Sequence, residues 1–241
     1  MKKLYFVFVL LLIAREFMAQ NTVYSLSAPR EASLLSTGLG FNILGAFQSK
    51  KVTVLTLAEI HQLNRNDLDV LDRTATYNFS LRAKKTSDQL LLSSFILPAT
   101  IFLDPNQRNQ YGEKAVIALE SYLMSVGSTF LVKTLVKRTR PFVYNENAPF
   151  SEKIKADARM SFFSGHTSTT ATSSFLAASF LTANGENKNI SPYIWTSAAA
   201  IPAIQGYLRW KAGKHFPTDI FIGYIVGAGI GYLLPKLHEG F

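Results

Sequence analysis

The chain has 241 residues, no cysteine, and 25 Lys and Arg against 16 Asp and Glu, a formal charge of +9. The missing cysteine excludes a disulfide framework and a thiolate zinc site. The basic excess calls for anionic partners, but 48% hydrophobic residues and long apolar runs fit lipid headgroups or phosphate substrates better than nucleic acid, and no nucleic-acid partner is expected.

In chain order, Met1-Lys2-Lys3 and an apolar run over residues 4–14 have the layout of a signal peptide, with a cleavage point after Ala19. Its removal takes three cations and one anion away and leaves the chain strongly basic. Residues 20–32 are polar and read as irregular. Residues 34–47 are apolar but carry Gly38, Gly40, Asn42 and Gly45. Over 52–88, Leu55, Leu57, Ile60, Leu63, Leu68 and Leu71 recur among charged residues and predict an amphipathic helix. Residues 20–87 therefore form a polar and amphipathic N-terminal segment ahead of a helical domain over 88–237.

That domain shows apolar helical runs at 90–103, 115–136, 167–182, 192–208 and 219–234, broken by Asp104-Pro105-Asn106, Asn184-Gly185, Gly213 and Pro235. No strand alternation appears. The expected fold is all-α, a bundle of five to six core helices. Several runs are short for a span or contain Glu120, Pro202 and Gln205, and the mean hydropathy is +0.12. The run at 219–234 is nearly uninterrupted and carries Gly223, Gly227, Gly229 and Gly231, which permit close helix contacts of the membrane type. The pattern favours a membrane-embedded bundle over a soluble one.

Three polar constellations stand at the ends of these runs. Lys133 precedes Arg140-Pro141 by seven positions; Ser164-Gly165-His166 opens one run; Arg209 precedes His215 by six positions and Asp219 follows His215 by four. An Arg can give a phosphate two parallel hydrogen bonds, and a Lys adds a point charge. Seven residues are about two helical turns, so Lys133 and Arg140 share a face if one helix runs through both. A Ser-Gly pair at a helix start offers close backbone approach and unpaired N–H groups. A carboxylate one turn beyond a histidine can fix its tautomer. A metal site would need His166 as third ligand beside His215 and Asp219, with no carboxylate-rich cluster nearby, so no metal or other cofactor is expected. His61 and His238 lack such company and read as surface residues.

In this order the constellations resemble the type 2 phosphatidic acid phosphatase family, whose fold is shared with class A acid phosphatases and vanadium haloperoxidases. The family's Lys, six residues, Arg-Pro is matched by Lys133 and Arg140-Pro141. Its Pro-Ser-Gly-His is matched by Ser164-Gly165-His166, with Phe163 in place of the Pro; its Ser-Arg, five residues, His, three residues, Asp is matched by Arg209, His215 and Asp219, with Leu208 in place of the Ser. The resemblance implies a metal-independent phosphatase for a monoester or diphosphate. His215 would be the nucleophile that forms a phosphohistidine, His166 the general acid and Asp219 the group that orients His215. Lys133, Arg140, Ser164, Gly165 and Arg209 would hold the phosphate.

Apolar helices beside the site favour a membrane lipid: phosphatidate, phosphatidylglycerol phosphate, an isoprenyl diphosphate or lipid A. The alternatives are a soluble periplasmic acid phosphatase of broad specificity, a vanadate-dependent haloperoxidase, for which the chain is short, and a non-enzymatic membrane scaffold. The basic loops at 137–163 and 209–218 would by charge alone lie in the cytoplasm. Several of those cations serve phosphate binding, which weakens that rule, and the resemblance implies a bacterial cell-envelope location, an inner membrane with the site facing the periplasm or the periplasm itself.

Overall fold

A computed structural model describes residues 23–100 and 105–240. The expected signal peptide lies outside them. The described residues are helical, with one isolated antiparallel bridge between Tyr24 and Glu239.

Helix α1, Ala28–Ser49, begins earlier than its apolar run. A proline sits in its first turn, where the missing N–H costs nothing, and Glu31 accepts from the backbone N–H of Ser27 at 3.0 Å. The predicted amphipathic helix over 52–88 is not one helix. It breaks into α2, Leu57–Gln62, and α3, Val70–Arg73, with 3-10 turns between and after them, before α4, Leu81–Ser94. The physical cause is a series of helix starts. Thr56, Asn64, Asp69 and Ser80 each accept a backbone N–H one to three residues on, and every such cap begins a new turn in a new direction.

The expected run at 90–103 is not one helix: it is divided between the end of α4 and the short α5, Ile96–Ala99, and residues 101–104 lie outside the described ones. The other apolar runs follow as α6, Tyr111–Val136, α8, Gly165–Leu181, α9, Ser191–Lys211, and α10, Pro217–His238, with the short α7, Phe150–Lys153, in the loop after α6. Helix α8 is the axis, packed against α6, α9 and α10, while α1 lies along α6. Although rich in Ser and Thr, α8 is almost wholly buried. Several of its hydroxyls bond back into the helix, Thr172 donating to the Ser168 carbonyl at 3.0 Å and Ser173 to the Thr169 carbonyl at 3.0 Å, while Ser174 and Ser179 donate to the Ala198 and Gly231 carbonyls of neighbouring helices.

Small residues set how closely α10 meets α8. A Cβ added at Gly223, Gly227 or Gly231 would stand 2.5, 2.0 and 2.5 Å from the carbonyl oxygens of Ser164, Ser168 and Thr172. The two helices thus run together in a register of four, backbone against backbone. His238, expected at the surface, is fully buried at the far end of this pair. Its Nε2 lies 3.1 Å from Glu120 and 3.4 Å from Glu31, so α10, α6 and α1 meet around one imidazole. His61 is exposed.

Two stretches, Arg108–Tyr144 and Pro217–His238, are long and apolar enough to cross a membrane, and only 33% and 28% of their most apolar windows are buried in the protein. Leu119, Val126 and Leu135 on the first, and Phe221, Ile225, Leu233 and Leu237 on the second, are exposed.

Gly227→Ala should force the α8–α10 seam apart and cost roughly 1–3 kcal/mol or more, as overpacking does. Gly229→Ala, where an added Cβ meets nothing within 4 Å, should be neutral or slightly stabilising. Thermal unfolding of the two variants in detergent checks this; equal midpoints would contradict the close seam.

Candidate active site

The three constellations converge at the α8 N-terminus. Helix α6 carries Lys133 in its last turn and ends at Lys137, whose φ of 52° is left-handed. The helix therefore does not run through to Arg140, and Lys133 and Arg140 do not share a helical face. The loop brings Arg140 back instead, its N–H bonded to the Ala158 carbonyl at 2.8 Å and the Phe142 N–H to the Gly213 carbonyl at 2.8 Å. At Gly213, φ is +68° and an added Cβ would lie 2.2 Å from the Asn78 carbonyl oxygen, so the turn before His215 requires glycine.

Each cation is held by acceptors. Lys133 Nζ donates to the carbonyls of Met160 at 2.7 Å and Ser161 at 3.1 Å. Arg140 donates to the Asp157 carbonyl at 2.8 Å, the Asp157 carboxylate at 2.7 Å and the Lys214 carbonyl at 2.8 Å. Arg209 donates to Ser87 Oγ at 3.0 Å and Asp88 Oδ1 at 3.2 Å, and its buried Nε makes no hydrogen bond among the described residues. Ser164 caps α8, accepting from the Thr167 N–H at 3.4 Å, while its own N–H donates to the Asp219 carbonyl at 2.9 Å. A Cβ at Gly165 would meet the Thr129 methyl at 2.9 Å and Lys133 Cε at 3.7 Å, so the glycine lets the α8 N-terminus lie against the end of α6 that carries Lys133.

His215 is the innermost group, 1% exposed. Its Nε2 is 3.1 Å from Arg140 Nη1. A guanidinium has only donors, so Nε2 must present its lone pair and the proton sits on Nδ1. Nδ1 faces Asp219 Oδ2 at 3.6 Å, beyond hydrogen-bond length. That oxygen already accepts from Ser161 Oγ at 2.5 Å and from the Phe216 N–H at 3.0 Å. Asp219 also accepts from Arg138 at 2.5 Å. His166 stands at the mouth of the site, its Nε2 2.8 Å from Asp88 Oδ1.

Sequence reasoning missed three carboxylates, Asp72, Asp88 and Asp157, and the third arginine of this network. Arg138 lies inside the Lys-to-Arg interval and reads as one more basic residue. It spans Asp219 and Asp72, and Asp72 also takes the N–H and hydroxyl of Thr218 at 3.0 and 2.6 Å. Asp88 and Asp157 are distant in sequence from the groups they hold and carry no spacing signal. Of the two motif departures, Phe163 is buried against Phe162 with ring centroids 6.0 Å apart, and Leu208 is half-buried.

The profile of the PAP2 superfamily matches residues 114–240, more than half of the chain and all three constellations. The chain belongs to the PAP2 superfamily. No curated protein matches it in sequence. Among solved structures it is similar to the transmembrane PAP2-type phosphatidylglycerolphosphate phosphatase from Bacillus subtilis. The identity is 19% and the TM-score 0.49, over 86% of this chain and 94% of that one.

In this PAP2 superfamily protein the electrostatics depress both imidazoles, and burial and Arg209 lower His166 to about 3. Burial, and then the charges of Lys133, Arg140 and Arg209, hold His215 well below the ordinary histidine value. Its ring is neutral at physiological pH and keeps the Nε2 lone pair. Lys214, beside it, is pushed down to about 8 by burial and by Arg140. Among the described residues no group of three or more His, Cys, Asp or Glu is placed to hold a metal ion.

The depressed His215 has a consequence for stability. Unfolded, it takes a proton near 6.5; folded, it resists, so the unfolded chain binds more protons and stability falls as pH drops through that value. Between pH 7.5 and 5.5 this one group should lower the stability of the folded protein. His215→Asn should show a shallower loss of thermal stability over the same window. An unchanged slope would mean that His215 protonates normally in the folded protein.

Proposed function

We propose that the protein is a metal-independent phosphatase of a phosphate monoester or diphosphate carried by a membrane lipid, working through a phosphohistidine. The observation that carries the reading is His215: a buried, neutral imidazole whose Nε2 lone pair lies 3.1 Å from a guanidinium, with the protonated nitrogen turned to Asp219. Such a nitrogen can attack phosphorus in line, because the cation that lies against it also binds the phosphoryl oxygens. Lys133, Arg140 and Arg209 would neutralise the equatorial oxygens, and the N-terminus of α8 at Ser164-Gly165 would add backbone donors. Asp219 would hold the ring by charge across 3.6 Å, and Ser161, Arg138 and the Phe216 N–H would hold Asp219.

Attack by Nε2 breaks the bond between phosphorus and the leaving oxygen, which takes a proton from His166. Water then attacks the phosphohistidine and gives a proton back to His166, releasing phosphate and neutral His215. A lipid substrate is supported by the exposed apolar side chains of α6 and α10, which among the described residues are the two helices both long and apolar enough to cross a bilayer. A phosphate in the cluster would then lie at the level of the loops, in the headgroup region, and we place that face toward the periplasm.

The test is phosphate release from a panel of lipid monophosphates and diphosphates by the detergent-purified chain. Wild type should turn over at least one of them, with vanadate inhibiting and a chelator without effect. His215→Ala should lower kcat by several powers of ten. Asp219→Asn should lower kcat more than it raises KM, because it disturbs the orientation and tautomer of the nucleophile and leaves the phosphate contacts in place. Full turnover by His215→Ala would remove the nucleophile from the mechanism. Recovery of the intact chain in the soluble fraction would favour a soluble acid phosphatase.

A further inference from the structure

Asp88 belongs to none of the three constellations. It lies on α4, 45 residues before Lys133 in sequence, and reaches the site only because α4 packs against α8 and α9. Its Oδ1 accepts from His166 Nε2 at 2.8 Å and from Arg209 Nη1 at 3.2 Å, so one oxygen joins the imidazole at the mouth of the site to a phosphate-binding guanidinium. The neighbouring Ser87 takes the same guanidinium nitrogen at 3.0 Å, and its own hydroxyl donates to the Lys84 carbonyl at 2.7 Å, which fixes this end of α4 against α9.

The mechanism above asks two imidazoles in one cluster to hold opposite states: His215 neutral, His166 protonated. Both are surrounded by cations. His166 faces Asp88 from α4, Arg209 from α9, and Arg140 and His215 from the loops, with Lys133 under the adjoining Gly165. Burial, and then Arg209, lower His166 to about 3; of these neighbours Asp88 alone opposes them, and the negative charge of a bound phosphate would add to its effect. For His215 the nearest carboxylate stands at 3.6 Å and is already shared among a serine, an arginine and a backbone N–H. Two differences set the histidines apart: His166 is at the mouth of the site rather than fully buried, and it has a carboxylate at 2.8 Å.

We propose that Asp88 is the positioning residue of the general acid: it holds the Nε2 proton of His166, favours the charged ring against the surrounding cations, and leaves Nδ1 as the nitrogen that serves the leaving oxygen. This rests on the phosphatase reading above. In the first step the P–O bond to the leaving group breaks, the P–Nε2 bond to His215 forms, and the Nδ1 proton of His166 passes to the leaving oxygen. In the second step the water proton returns to Nδ1. Asp88 keeps its charge throughout, and no other reactant is needed.

General-acid help matters in proportion to how badly the leaving group needs a proton, which separates this role from a merely structural one. The experiment compares kcat/KM for a long-chain alkyl phosphate and for p-nitrophenyl phosphate, across pH, in the detergent-purified full chain. Asp88→Asn should lower kcat/KM about 100-fold or more for the alkyl ester and less than tenfold for the aryl ester. It should also move the basic limb of the alkyl profile to lower pH, and Asp88→Glu should restore part of both. In a His166→Ala background, Asp88→Asn should cost the aryl ester nothing further. Equal losses on both esters with an unmoved basic limb, or a further loss in the His166→Ala background, would overturn the role and assign Asp88 to Arg209 or to the fold. An indifferent Asp88→Asn with active wild type removes Asp88 alone. Wild type that releases phosphate from neither ester removes the phosphatase reading, and this inference with it.

Discussion

Like charges buried side by side are the constraint around which this protein is built. Lys133, Arg140 and Arg209 are each less than a tenth exposed and all act on one imidazole. Taking such groups out of water is expensive unless acceptors surround them. The chain supplies these in two ways. Main-chain carbonyls of Met160, Ser161, Asp157 and Lys214 take the N–H groups that point into the loops, and Asp157 and Asp88 stand at the outer ends of Arg140 and Arg209. Both carboxylates are about half exposed, so the compensating charge lies on the solvent side and the uncompensated field points inward, toward His215. The same field that keeps the imidazole neutral would bind the phosphoryl oxygens.

Holding such a cluster needs a rigid floor, which the α8–α10 seam provides. With glycine at every fourth position of α10 against the carbonyls of Ser164, Ser168 and Thr172, the two backbones touch and neither helix can slide. The bond from the Ser164 N–H to the Asp219 carbonyl lies at the top of this seam. The second and third constellations are therefore joined by main chain before any side chain acts. Most hydroxyls of α8 are bonded back into their own helix or across to Ser125 and the Gly227 carbonyl, which lets a polar helix be the buried axis; the Thr170 hydroxyl makes no hydrogen bond among the described residues.

A second layer ties the N-terminal segment to the site. Arg138 spans Asp219 and Asp72 and lies 4.0 Å from the Phe216 ring centroid, and Asp72 in turn caps the start of α10 through Thr218. Asp219, fully buried, thus receives donors from three sides, and its distance to His215 Nδ1 is set by that competition. The short helices between α1 and α4 are positioned by these polar contacts, by the ion pair of Arg159 with Glu59, and by Leu55, Ile60 and Leu63 packed in one cluster with Phe142 and Val143.

Read alone, the sequence determined the helical class, four of the five main runs and the residues of the three constellations. Each of these is written in local spacing: helical periodicity, Gly and Pro breaks, and motif intervals. It misplaced what depends on partners elsewhere in the chain. A helix through Lys133 and Arg140 gave way to a left-handed break at Lys137, because the loop finds its hydrogen bonds at Ala158 and Gly213. His238 looked unaccompanied because Glu31 and Glu120 are far away in sequence. Only the tertiary structure decided that Asp88 meets His166, that Arg138 lies behind Asp219, and which nitrogen of His215 faces the cations. A carboxylate's effect depends on ångströms, and helices from four parts of the chain set those distances.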